Sequence, residues 1–254
     1  MKLVTWNVNS LNVRLPHLLD WLNANPVDVM CLQETKQEDS KFPYEALQAA
    51  GYQAIHSGQK TYNGVAIISK LAIDQVQVGI PNFEDEQRRV IAATIHGIRI
   101  ICIYIPNGQA VDSEKYDYKM RWLAALTDWL KTELESHPKL ALLGDYNIAP
   151  DDRDCHDPAA WIGCNLVSPR EREAFQALEQ LGLHDTFRLF NDESGHYSWW
   201  DYRMAGFRRN LGMRIDHILV SDALKLDCIS CEIDKAPRKL ERPSDHTPVV
   251  LSLK

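Results

Sequence analysis

Leu140-Ala141-Leu142-Leu143-Gly144-Asp145-Tyr146-Asn147 runs an apolar segment of strand length into a glycine, then sets a carboxylate and a carboxamide two residues apart. An uninterrupted apolar run of this length is satisfied by burial in a sheet. Gly144 then falls at the strand end, where the chain can turn without Cβ strain. Asp145 and Asn147 are expected to emerge at the rim as exposed polar tips on rigid backing, which is how a scaffold holds catalytic groups. Taken alone, the stretch is also satisfied by an ordinary Asx turn after a strand. Its recurrence elsewhere in the chain adds weight.

Toward the N-terminus, His137-Pro138 closes a helix expected over 113–135, whose apolar face runs Tyr116, Met120, Leu123, Leu130 and Leu134. Before it, β-like runs lie at 52–56, 65–68, 73–78, 90–95 and 98–104, with Gly97 marking a hairpin between the last two. The chain opens with a strand at 2–6, a helix carrying Leu15, Leu18, Leu19 and Leu22 at helical spacing, and a buried strand at 28–32. A short helix is expected over 42–50. On the C-terminal side, 151–169 reads as a polar loop and 170–180 as a helix. Strands are expected at 197–200, 214–220, 225–234 and 247–253. Strands mixed with helices, and hairpins among the strands, favour an α/β sandwich of two sheets over a simple doubly wound sheet. No linker, low-complexity segment or short repeat interrupts the chain, so 1–254 is expected to be a single domain.

An apolar fraction of 45% and a charged fraction of 25% suit a soluble globular protein with a substantial core. No apolar run is long enough to cross a membrane, and the N-terminus enters a strand pattern at once, without a targeting segment. Six scattered cysteines are too few for a disulfide scaffold and fit a reducing cytoplasm. Cys228 and Cys231 lie in a strand-like run with no second ligand pair, which argues against a zinc or redox role. The net charge of −7 excludes a protein basic over its whole surface. It does not exclude nucleic acid if the acids cluster at a metal and the basic residues share one face.

Five polar stations stand at or beside strand ends: Asn7, Glu34, Asp145 with Asn147, Asp216, and Asp245 with His246. Carboxylates with carboxamide neighbours suit a hard divalent cation such as Mg²⁺, whereas zinc would call for tighter His and Cys clusters. A histidine with an aspartate to orient it suits charge stabilisation at a phosphoryl group. Each station also has a structural reading as a turn residue, a strand cap or a satisfied buried pair. Residue chemistry alone makes a metal-assisted phosphodiester hydrolase plausible, but whether the stations meet in space is left open.

Thr5-Trp6-Asn7-Val8-Asn9, Leu32-Gln33-Glu34-Thr35-Lys36, Gly144-Asp145-Tyr146-Asn147, Arg214-Ile215-Asp216-His217 and Ser244-Asp245-His246-Thr247-Pro248, in this order and spacing, resemble the exonuclease III family of apurinic/apyrimidinic (AP) endonucleases. The likeness runs the length of the chain. Tyr62-Asn63-Gly64-Val65 and Tyr104-Ile105-Pro106-Asn107-Gly108 point to its DNA-repair branch within the wider endonuclease/exonuclease/phosphatase superfamily. The resemblance implies a four-layer α/β sandwich, two mixed sheets face to face and flanked by helices. It implies a monomeric cytoplasmic enzyme that uses Mg²⁺, or Mn²⁺ in its place, to incise double-stranded DNA 5′ to abasic sites. It would also act as a 3′→5′ exonuclease and clean blocked 3′ ends.

By the same resemblance Glu34 would ligate the metal with Asn7 nearby, and Asp245 would lie near a second metal position. Asp145 would activate or orient the attacking water and Asn147 would help place it, with the identity of the general base left open. His246 would contact the scissile phosphate, with Asp216 orienting its ring. Tyr104 and Asn107 would contact the phosphate, and Tyr62 and Asn63 would belong to the DNA surface. Trp199, Met213 and Ile215 would line a pocket for an extrahelical sugar, with Arg203 near the base stack. Met213 departs from the leucine or tryptophan often found there in the family, but a flexible methionine fills such a wall. Gly163, being small, would leave room for the sugar.

Between Trp199 and Arg214 four aromatics alternate with four arginines, and no acid follows Asp201, a composition that suits phosphates and base stacks. Arg238, Lys239 and Arg242 form a second basic cluster expected on the DNA face, as are Arg14 and Lys36. The competing readings are a superfamily phosphatase or phosphodiesterase on a non-DNA substrate, a 3′-end-processing exonuclease without AP-site incision, and a DNA-binding module that has lost catalysis.

Overall fold

The computed structural model describes every residue from Met1 to Lys254. The elements are β1 (Lys2–Asn7), α1 (Leu11–Ala24), β2 (Val29–Gln33), α2 (Tyr44–Ala49), β3 (Gln53–Ser57), β4 (Val65–Ser69), β5 (Asp74–Val78), β6 (Val90–Ile95), β7 (Ile98–Tyr104), α3 (Glu114–Ser136), β8 (Leu140–Asp145), α4 (Pro169–Glu179), β9 (Leu183–Asp185), β10 (Trp199–Trp200), β11 (Gly212–Met213), β12 (Asp216–Ser221), α5 (Asp222–Lys225), β13 (Cys228–Ile233) and β14 (Val249–Leu253). One six-stranded sheet has the order β13-β14-β1-β2-β4-β3 and the other β5-β6-β7-β8-β12-β9. Both are mixed. β1 pairs parallel with β2 across the α1 crossover, and β7 with β8 across α3, while the other pairs are antiparallel.

Strand alternation sorts the apolar side chains into layers. Leu3, Cys31, Ile100, Cys102, Leu143 and Ile218 point between the sheets and form the central core. Their neighbours Ile101, Ile103 and Leu142 point outward and meet Trp122, Leu126 and Leu130 of α3 and Phe175 of α4. Val4 and Met30 meet Leu18, Trp21 and Leu22 of α1 and Leu47 of α2. Two sheets between helical layers make the four-layer sandwich that the family resemblance implies.

Several elements depart from the sequence reading. β8 runs through Asp145, so Gly144 is an interior strand residue and not the turn. A Cβ on Gly144 would lie 2.0 Å from the carbonyl oxygen of Ile103, so glycine there lets β7 approach. The buried stripe of α3 includes Lys119 and Glu133, whereas Met120 and Leu134 are only partly buried at its border. The strand expected at 197–200 shrinks to β10, which pairs with β11 in a separate two-stranded ribbon. The run 225–234 begins as the turn of α5 and becomes a strand only at Cys228.

Arg214 is also reassigned. It is buried, and it donates to Asp154 Oδ1 at 2.7 Å and Asp185 Oδ2 at 2.7 Å, joining the 151–154 turn, β9 and the approach to β12. Burial alone would raise both carboxyls, but the guanidinium holds them below their ordinary value of 3.8.

Gly144→Ala is expected to cost more than about 3 kcal/mol, because the clash is with main chain that cannot swing away; urea unfolding measures it. Arg214→Met strips the buried Asp185 carboxylate of its ion pair and leaves Asp154 with Arg188 alone, and is expected to cost about 3–5 kcal/mol near neutral pH. The stabilisation from depressed carboxyl pKa values is complete above 3.8 and lost as pH falls through the lower folded values. The gap between wild type and Arg214→Met should therefore narrow in acid.

Candidate active site

Strand direction explains why the polar stations meet. Asn7 and Tyr104 end β1 and β7, Asp145 ends β8, and Glu34 follows β2. β12 runs antiparallel to β8, so its first residue, Asp216, pairs directly with Asp145. β14 runs antiparallel to β1, so the segment before it brings Asp245 and His246 to the same edge. Residues scattered from position 7 to position 246 become neighbours there.

Asn7 joins the two sheets. Its Nδ2 donates to Glu34 Oε1 and to Asp145 Oδ2, both at 2.9 Å, while its Oδ1 accepts the backbone N–H of Asn9 at 3.0 Å. The carboxamide therefore faces the two acids with its N–H groups. Ligand atoms of Glu34, Asp145 and His246 all lie within 4.8 Å of one another. Burial pushes the Asp145 carboxyl up to about 7; His246 opposes that rise, and Asp216 and Glu34 add to it. Burial works against charge on His246, but Asp216 and Asp145 raise it to about 10. At neutral pH it is an imidazolium.

The imidazolium is aimed by hydrogen bonds. His246 Nδ1 donates to Asp216 Oδ2 at 2.8 Å, which leaves Nε2 toward Asp145 Oδ2 at 3.7 Å. Asp216 is held in turn by Ser198, whose hydroxyl donates to Oδ2 at 2.6 Å and accepts the N–H groups of Ile215 and Asp216. The donor set fits a hard divalent cation. Two carboxylates converge with two more acids, Asp216 and Asp245, close behind. The cationic side chains against them are His246 and Lys36, whose Nζ lies 2.9 Å from Glu34 Oε2.

The loops are wound to suit. Glu34 and Asn147 both sit in the left-handed region with φ of 50°. Lys36 N–H donates to Asn63 O at 2.9 Å and Thr35 N–H to Gly64 O at 3.2 Å, pinning the Glu34 turn to the 62–64 turn. A Cβ on Gly64, whose φ is +92°, would lie 2.1 Å from the Thr35 hydroxyl, so only glycine permits this docking.

Tyr104, Asn107, Tyr62 and Asn63 share a groove of about 760 Å³ with Gln59 and Lys115 beside the acids, room for a chain segment more than a lone ion. Burial drives the Tyr104 phenol well above its ordinary value, and Glu34 adds to the effect, so it is a neutral O–H donor. Asn107 Nδ2 donates to Asn147 Oδ1 at 3.0 Å. Behind them the fully buried Lys119 donates to Asn107 O at 3.2 Å and Asn147 O at 2.7 Å and pairs with Glu171. Glu171 is held by the capping box that starts α4.

Trp199 lies beside His246, with ring centroids 6.4 Å apart, and packs on Met213 and Ile215. Met213 and Ile215 are buried with Leu166 and Val167, so Trp199 alone of the three offers surface. Arg203 is extended into solvent beside Asp201. Asp245 is committed to Asn9 Nδ2 at 2.8 Å and Trp199 Nε1 at 3.0 Å, outside the group formed by Glu34, Asp145 and His246. Gly163 lines a surface depression with Asp152, Pro158, Ile162, Val167, Pro169 and Arg172, none of them a member of the acid cluster. Arg238 is buried against Trp200, Tyr202 and Phe207 and bonded to Ser244 O, so it braces the 202–207 loop and is not on an open DNA face. Arg14 is likewise turned to the backbone of Pro243 and Arg242.

Three supporting residues escaped the sequence reading: Ser198, Lys119 and Asn165, the last of which donates to Asn107 Oδ1 at 3.1 Å. Only Lys119 left a signal, as a charged residue three positions after Tyr116 on an apolar helix stripe. No helix is long and apolar enough to cross a membrane.

The sequence pattern of the Endonuclease/Exonuclease/phosphatase family matches residues 4–246. Exodeoxyribonuclease III of Haemophilus influenzae is 36% identical, and the alignment spans 98% of each chain. Among solved structures, a Neisseria 3′ phosphatase bound to a product DNA hairpin superposes with a TM-score of 0.99 at 50% identity, covering 100% of this chain and 99% of that one. An AP endonuclease from Archaeoglobus fulgidus superposes with a TM-score of 0.97 at 36% identity, with coverage of 100% and 99%. Motifs, fold and the convergent acid cluster agree with these relatives: the chain belongs to the endonuclease/exonuclease/phosphatase family and is a DNA-repair nuclease of its exodeoxyribonuclease III and AP-endonuclease branch.

Proposed function

We propose that this nuclease hydrolyses the phosphodiester 5′ to abasic sites in duplex DNA and also trims and cleans 3′ ends, working as a cytoplasmic monomer through one catalytic domain over 1–254. The observation that carries the reading is the meeting of Asn7, Glu34, Asp145, Asn147, Asp216 and His246 at one edge of the sandwich, beside a groove lined by Tyr104 and Asn107. Glu34 and Asp145 would hold a Mg²⁺ ion, with Mn²⁺ able to take its place. When bound, the ion supplies Lewis-acid stabilisation of developing negative charge on the phosphate and leaving oxygen.

The chain's own groups supply the rest. The Asp145 carboxylate accepts the proton of the attacking water, and Asn147 helps orient that water. The His246 imidazolium presents Nε2–H to a phosphoryl oxygen, held in line by Asp216. The Tyr104 hydroxyl and Asn107 carboxamide donate to the same phosphate. Tyr62 and Asn63 line the path of the strand. Trp199, over Met213 and Ile215, stacks against the deoxyribose, with Arg203 reaching the helix and Gly163 leaving the neighbouring loop unobstructed. Asp245 adds to the negative field in which one or two cations would sit, and Asn7 holds Glu34 and Asp145 toward it through its two N–H groups.

A second reading is favoured by the 50% identity to the Neisseria 3′ phosphatase: 3′-end processing without internal incision. A 5′-labelled duplex with one internal tetrahydrofuran abasic analogue separates the two, since the analogue cannot undergo β-elimination. One Mg²⁺-dependent cut on its 5′ side, abolished by EDTA, is expected. Asp145→Asn should lower its rate about 10²–10⁴-fold. Digestion from the 3′ end with no internal cut would replace the first reading by the second.

A further inference from the structure

The carboxamides of Asn107 and Asn147 are locked in one polarity by main-chain groups at both ends. Asn147 Nδ2 donates to the carbonyl oxygen of Ile105 at 3.0 Å, which only the NH₂ end of the amide can do. Its Oδ1 therefore faces Asn107 and accepts from Asn107 Nδ2 at 3.0 Å. At the other end, Asn107 Oδ1 accepts the backbone N–H of Gln109 at 3.1 Å. In this chain both amide oxygens are occupied, and each NH₂ keeps one N–H for an outside acceptor. An anionic oxygen is the acceptor that such an edge suits.

Asn165 closes the chain. Its Nδ2 donates to Asn107 Oδ1 at 3.1 Å, as a second donor on the same oxygen. The Asn165 Oδ1 atom is buried without a partner. Turning the Asn165 amide over would present its oxygen to the oxygen of Asn107, so the unpaired carbonyl is the cost of keeping the donor in place. Gly108 makes room for it, because a Cβ there would lie 2.9 Å from Asn165 Oδ1.

We propose that Asn165 is a positioning residue that holds Asn107 with its N–H edge, not its carbonyl, toward the phosphate during DNA hydrolysis. The role rests on the nuclease reading above and acts entirely through Asn107.

The test measures kcat and KM for wild type, Asn165→Asp, Asn165→Ala, Asn107→Ala and the double variant Asn107→Ala/Asn165→Asp. Both the abasic duplex and a 3′-recessed duplex are used, with Mg²⁺ titrated. A carboxylate at 165 faces Asn107 Oδ1 and favours the inverted amide, so Asn165→Asp is expected to lower kcat about 100-fold, the scale of losing one preorganised donor. Asn165→Ala removes one of two donors and should lower kcat only about fivefold. In the Asn107→Ala background Asn165→Asp should add nothing, with thermal midpoint and Mg²⁺ dependence unchanged throughout. A full additional loss in that background would mean that the new charge repels DNA directly, and the proposal fails. It fails too if Asn165→Asp keeps wild-type kcat. A wild type inert on both substrates would instead overturn the nuclease reading itself.

Discussion

One carboxamide joins the two sheets at the edge where the chemistry sits. Asn7 stands at the end of β1 in one sheet and donates to Glu34 beside its own sheet and to Asp145 at the end of the other. Two acids this close repel each other, and burial raises the cost of their charge. The neutral bridge offers each an N–H without adding charge, and the remaining negative field is left for a cation and for the His246 imidazolium. Much of the architecture around it serves to keep these ends level: parallel pairs bring β1 with β2 and β7 with β8 to one edge, and antiparallel β12 and β14 enter from it.

Support for the site lies in buried polar contacts more than in apolar packing. Lys119 and Glu171 are fully buried and tie α3 and α4 to the backbones of Asn107 and Asn147. Arg214 with Asp154 and Asp185 anchors the ribbon that carries Trp199. Such pairs add little net stability over apolar packing, yet removing one partner leaves a stranded charge. They hold the loops in one arrangement. Glu34 and Asn147, wound left-handed at the mouth, depend on that hold.

The largest corrections to the sequence reading share a cause. Gly144 looked like a turn residue because it ends an apolar run of strand length and carries no Cβ, but its place is beside Ile103 in an adjacent strand, a contact that local sequence cannot display. Arg214 and Arg238 looked like phosphate contacts because they lie in basic, aromatic stretches, but both are drawn inward by partners far along the chain. Asp145 and Asn147, read as exposed tips, are buried under the loops that other strands contribute. In each case composition was read correctly and direction was not.

What the sequence by itself determined is the set of strand-length apolar runs, the long capped helix after Ser113, and the polar residues Asn7, Glu34, Asp145, Asn147, Asp216 and His246 at the ends of those runs. These are local properties: periodicity, caps and turn residues act within a few positions. Only the tertiary structure decided that the six share one edge, that Asn7 bridges with its N–H groups, and that Ser198, Lys119 and Asn165 stand behind them. Those are contacts across tens to hundreds of residues. They are set by strand direction and by the need of every buried polar group for a partner, conditions that apply only once the chain has closed on itself.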